Sequence, residues 1–89
     1  MSRPELEAAS DALREAADVA SPVLADDLVE KAETVADLAT RNEEPDHGRL
    51  ARLEHALRGF VDEGSDEVAE RVEQALDHVR EYRKTVEGV

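Results

Sequence analysis

The stretch "EEPDHGRLARLEHALRGF", residues 43–60, decides how this chain divides. Pro45 has no amide hydrogen to give to a helix, and it pushes Glu44 out of helical conformation. Asp46 then offers a carboxylate that can cap a new helix. After it, Leu50, Leu53, Leu57 and Phe60 recur at spacings of three and four, with Ala56 and Val61 beside them. That is one apolar stripe of a helix. The preceding helix therefore ends near Asn42, and a third helical segment begins after Asp46.

The same helical pattern extends outward in both directions. Toward the N-terminus, Ser21-Pro22 reads as a cap followed by a proline in the first helical position. From there to about Arg41, Leu24, Ala25, Leu28, Val29, Ala32, Val35, Ala36, Leu38 and Ala39 cover about half the helix circumference. This breadth predicts that the second helix is the most buried. Ahead of it, Ser2 and Glu5 have the spacing of a capping box around Pro4, and Leu6, Ala9, Leu13, Ala16 and Ala20 form a stripe. A single long helix kinked at Pro22 is the alternative for this half. Toward the C-terminus, Gly64-Ser65 reads as a stop and a new cap. Val68, Val72, Ala75, Val79, Tyr82 and Val86 then form a seam, with Ala69 and Leu76 alongside and Gly88 ending it.

These patterns predict an all-α fold, an antiparallel bundle of four helices, or of three if the first two are continuous. Short connections favour antiparallel neighbours. Eighty-nine residues are expected to form a single helical bundle domain, 1–89. Ion pairs are expected at Arg14–Asp18, Asp27–Lys31, Asp37–Arg41, Glu54–Arg58 and Glu67–Arg71, each four residues apart.

Composition narrows function. Cysteine is absent, which excludes disulfides, a thiolate nucleophile and Cys-ligated zinc. No apolar run approaches a membrane span, and no signal-peptide core follows Met1-Ser2-Arg3-Pro4, so a cytoplasmic location is expected. Twenty-three acids face eleven bases, for a formal charge of −12. Such a surface keeps a protein soluble but repels itself, and salt screens that repulsion. With few lysines and small apolar side chains, this composition points to adaptation to high salt.

The segments "PDHGRLARLEHALR", residues 45–58, and "ALDHVREYRK", residues 75–84, resemble a family of small acidic helical proteins of halophilic archaea, whose function is uncharacterised. The resemblance implies a salt-rich archaeal cytosol and a proline-interrupted helical layout. It implies no catalytic residue, ligand or partner.

Candidate chemistry is sparse. Glu44 and His47 have the Glu-x-x-His spacing of carboxylate-bridged metal sites, but Pro45 breaks the helix between them and no second motif exists. No metal or other cofactor is expected. Ser2, Ser21 and Ser65 are explained as caps, and none lies in a nucleophile elbow. The chain is not expected to be an enzyme.

One segment stands apart in charge. Residues 47–61 sum to +2, against −9 for residues 1–46 and −6 for residues 62–79. With the leucines inward, Gly48, Arg52, His55 and Gly59 form the outward strip of the third helix, flanked by Arg49 and Arg58. These six residues are the candidate contact surface. The competing reading pairs the arginines with acids of the same bundle. A second basic cluster, Arg80, Arg83 and Lys84, suits a helix C-terminus through the macrodipole. The expected function is a non-catalytic helical interaction or structural module, with an unknown protein or a second copy of itself as partner, in which case it forms a homodimer. The alternative is a nucleic-acid-associated regulator using the basic face. The surrounding acidity argues against nucleic acid, and no membrane partner is expected.

Overall fold

The computed structural model describes residues 3–86. It consists of α1 (Pro4–Asp18), α2 (Pro22–Thr40), α3 (His47–Glu63) and α4 (Asp66–Val86), with no strand among the described residues. The first two helices are separate. Val19 and Ala20 close α1, and extended Ser21 stands at the N-cap position of α2 and delivers Pro22 into its first turn, but its hydroxyl makes no capping hydrogen bond. Asp46 caps α3 as expected, its carboxylate accepting from the Arg49 amide at 2.8 Å. Ser65 caps α4 by accepting from the Val68 amide at 3.3 Å. The expected Ser2 cap and the Gly88 stop lie outside the described residues, and Arg3 stands at the N-cap of α1 in extended conformation.

Cross-helix contacts give the directions. Glu5 and Glu15 of α1 meet His78 and Arg71 of α4, so the partner number falls as the α1 number rises. Arg3 and Ser10 likewise meet Ala39 and Ala32 of α2. Glu54 of α3 meets Arg83 of α4 while only Gly64 and Ser65 join the two helices, so these also run antiparallel. The chain runs up, down, up, down. Packing joins α1 to α2, α1 to α4 and α3 to α4, in a body of 38 × 20 × 17 Å.

The apolar stripes meet as the periodicity requires. Leu6, Ala9, Leu13, Ala16, Leu28, Ala32, Val35, Ala39, Leu50, Leu57, Val72, Ala75 and Val79 are fully buried. Phe60 is only half-buried and packs at the edge. The most buried helix is α1, not α2. Its small residues Ala9, Ala12, Ala16 and Ala17 let it press against neighbours on two sides, whereas α2 packs extensively on α1 alone. Val23 and Val29 of α2 consequently remain exposed.

Two polar anchors tie α1 to α2. Ser10, itself buried, donates to the Ala32 carbonyl at 2.8 Å. The Arg3 guanidinium donates to the carbonyls of Leu38 and Arg41 at 3.1 and 2.6 Å, satisfying acceptors that the end of α2 leaves unpaired. At the α3–α4 turn, Gly64 has an ordinary negative φ, so its requirement is steric. A Cβ there would lie 2.6 Å from Val68 Cγ1 and 2.8 Å from Val68 Cβ. Among the described residues, no helix is long and apolar enough to cross a membrane.

Candidate functional site

The acid at the centre of the basic segment is the first surprise. Glu54 is buried, and it gathers three arginines from two helices. Arg83 of α4 donates to its Oε2 at 2.8 Å, while Arg80 of α4 and Arg58 of α3 approach Oε1 at 3.9 Å. Withdrawing a carboxylate from water is costly unless cations and hydrogen bonds offset the lost hydration. The expected Glu54–Arg58 pair is thus the weaker part of a larger cluster. The sequence carried a signal for it: Leu50, Glu54, Leu57 and Val61 are spaced four, three and four, which places the carboxylate on the inward side. The C-terminal basic cluster has more to do than face the macrodipole, since Arg80 and Arg83 turn back onto α3.

The remaining cations sort themselves around this cluster. Arg41 pairs with Asp37 as expected, and Lys84 hydrogen-bonds Glu81 at 2.9 Å, which holds its ammonium above the usual lysine range. Arg71 reaches across to Glu15 of α1 at 3.3 Å in place of the expected Glu67. The expected Arg14–Asp18 and Asp27–Lys31 pairs are not formed: no carboxylate of the described residues lies within 4.0 Å of Arg14 or Lys31. Neither Arg49 nor Arg52 has such a partner among them.

Lys31, Arg49 and Arg52 are brought together by the tertiary structure. Consecutive helices α2 and α3 make no extensive contact, so one edge of the bundle is open. Along it runs a cleft of about 350 Å³ lined by Lys31, Thr34 and Leu38 from α2 and by Arg49, Arg52 and Leu53 from α3. Leu38 and Leu53 are buried, and no acid lines the cleft. A Cβ at Gly48 would stand 3.5 Å from Asp46 Oδ1 and 3.6 Å from Arg52 Nη1, ordinary contact distances that mark where the Arg52 guanidinium lies back along the first turn of α3.

The six-residue contact surface expected from the sequence is therefore divided. Arg49 and Arg52 face the α2–α3 cleft. Arg58 leans toward Glu54 and lines a concavity of about 510 Å³ between α3 and α4, together with Arg80, Asp62, Glu73 and Asp77. Cations and acids are mixed in that second hollow. His55 and Gly59 are exposed between the two sides. Gly59 has nothing within 4 Å of a notional Cβ, so no neighbour within the chain requires a glycine there. The α3 helix continues through it to Glu63 without fraying.

The histidines do not converge. His78 Nδ1 lies 2.8 Å from Glu5 Oε1, linking α4 to α1, and His47 sits at the start of α3. No group of three or more potential metal-ligating side chains clusters among the described residues.

Residues 1–85 match the model of a protein family described as a family of unknown function, DUF7553. The chain belongs to this family. No curated protein and no solved structure matches it. Membership agrees with the resemblance carried by residues 45–58 and 75–84 in that the family has no assigned function. With no activity to transfer, the candidate site of this DUF7553 chain rests on its own geometry: a satisfied cluster at Glu54 and, among the described residues, an unsatisfied one at the open edge.

Proposed function

We propose that the chain is a non-catalytic helical interaction module of a salt-rich archaeal cytoplasm, and that its contact surface is the open α2–α3 edge. One observation carries this reading. In a chain of twenty-three acids and eleven bases, Lys31, Arg49 and Arg52 stand at one cleft without a carboxylate partner among the described residues. Unpaired like charges facing one another weaken a fold, so they are most simply explained by something that binds them. The inward polar side chains, by contrast, have structural work: Ser10 bonds Ala32, and Glu54 organises α3 against α4. The spread of acids over the other segments supports salt adaptation rather than an acidic docking face.

Comparative capture from high-salt lysate tests the module. A specific protein retained by the wild type and lost with Arg52→Glu supports it; identical retention by both chains refutes the edge as the contact surface. Self-association is a second form of the same reading, favoured by exposed Val23 and Val29 on α2. Light scattering in molar salt that finds only monomer removes it. The nucleic-acid alternative draws less support, because Arg58 is engaged by Glu54 and lies apart from Arg49 and Arg52.

A further inference from the structure

We propose that the cleft between α2 and α3 binds a compact, multiply charged oxyanion of the phosphoryl class, held by Lys31, Arg49 and Arg52. The inference rests on the interaction reading for its location and goes beyond it in naming a ligand chemistry.

Charge left unpaired among the described residues collects at one place. Arg3 is occupied by backbone carbonyls, and Arg41, Arg58, Arg71, Arg80, Arg83 and Lys84 each lie within 4.0 Å of a carboxylate. Of the four bases left over, all but Arg14 line this one cleft. Lys31 has Asp27 one turn before it yet does not pair with it, so its ammonium remains available to the cleft.

The cleft's donors also fit such a ligand chemically. Two guanidinium groups supply planar forks of N–H donors that match the oxygens of a phosphoryl group, and an ammonium from the facing helix supplies a point charge. Thr34 adds a hydroxyl at the rim that now donates to the Glu30 carbonyl at 3.2 Å and can turn to an incoming oxygen. A volume of about 350 Å³ suits a small ligand. The first turn of α3 contains no acid, and the Asp46 carboxylate at its N-cap accepts from the Arg49 amide.

The surrounding charge limits the ligand's size. The chain's −12 includes the +3 of these side chains, so the remainder carries −15. A long polyanion lying across the cleft would run onto that acidic surface. A compact anion stays within reach of the three cations and relieves their mutual repulsion, drawing α2 and α3 together along the edge where they do not pack.

The test is titration of inorganic diphosphate into the full chain in molar KCl, followed by amide chemical shifts. Saturable shifts at Lys31, Thr34, Arg49, Arg52 and Leu53 are expected, with affinity falling at least about tenfold, or ~1.4 kcal/mol, in Lys31→Glu and in Arg52→Glu. Circular dichroism establishes that each variant is folded, and the two variants alter different helices. Absence of saturable shifts overturns the proposal, as does binding unchanged by both variants. Parallel arms use a short single-stranded oligonucleotide and a polyglutamate peptide. If either binds the cleft while diphosphate does not, the phosphoryl-class compact ligand is wrong. If diphosphate fails while Arg52→Glu still abolishes capture of a protein partner, the oxyanion falls and the interaction module stands.

Discussion

Arg83, near the end of α4, donates a 2.8 Å hydrogen bond to the carboxylate of Glu54, midway along α3. The acid is 6% exposed and the arginine side chain 36% exposed, so the two partners do not face the same loss of water. Removing the arginine strands a buried carboxylate with only two distant cations. Removing the acid returns the arginines to solvent. Arg83→Ala is therefore expected to cost about 2–3 kcal/mol and Glu54→Leu about 1 kcal/mol or less. Urea denaturation of the two variants measures the order, and a reversed order contradicts the burial argument.

Gly59 and Gly64, toward the end of α3, should respond in opposite directions to alanine. At Gly64 a Cβ meets the rigid, buried Val68 at 2.6 Å, and the Phe60 carbonyl at 3.2 Å blocks escape. Gly64→Ala is expected to destabilise by about 1–3 kcal/mol. At Gly59 the space is open and the residue lies inside a regular helix, so alanine should stabilise by up to about 1 kcal/mol. Thermal melts of both variants check the pair. If Gly59 serves an outside partner by close approach, Gly59→Ala keeps its gain in stability and loses that partner.

Arg3 acts as a side-chain cap on a helix other than its own. Its guanidinium holds the Leu38 and Arg41 carbonyls at the end of α2. Arg3→Ala should cost about 1–2 kcal/mol, since bonds from a charged donor are stronger than neutral ones. Hydrogen exchange should localise the loss to the final turn of α2 and the start of α1. A uniform loss of protection across all four helices would mean that Arg3 contributes in some other way.

Salt should stabilise this chain. A formal charge of −12 on a small body carries repulsion that molar salt screens, and the exposed ion pairs lose little because each contributes little. Circular-dichroism melts in low and in molar KCl are expected to give a higher midpoint in the latter. Equal midpoints would count against salt adaptation.

Each break and cap legible in the chain was a local matter. Pro22, Pro45, Asp46 and Ser65 act on backbone within a few residues, and the stripes through Leu13, Leu28, Leu57 and Val72 follow from helical periodicity alone. For this reason the helix boundaries and the inward faces were readable one segment at a time. The relative burial of α1 and α2 was not, because it depends on how many neighbours each helix has. Alanine-rich α1 can take two close neighbours, and no count of apolar residues along α2 reveals that.

The candidate site divides along the same line. By itself the sequence determined that a basic, glycine-containing helix interrupts an acidic chain, and that its leucines face inward. Only the tertiary structure decided which cations are satisfied. Arg80 and Arg83 reach Glu54 from a helix whose C-terminal cluster had a sufficient local explanation, whereas Lys31 lines one cleft with Arg49 and Arg52 along an edge that the short α2–α3 connection gave reason to expect closed. The physical reason is range. Capping and periodicity are set within a turn or two of helix, but charge pairing between helices is set by their register and separation, which the packing of the whole bundle fixes.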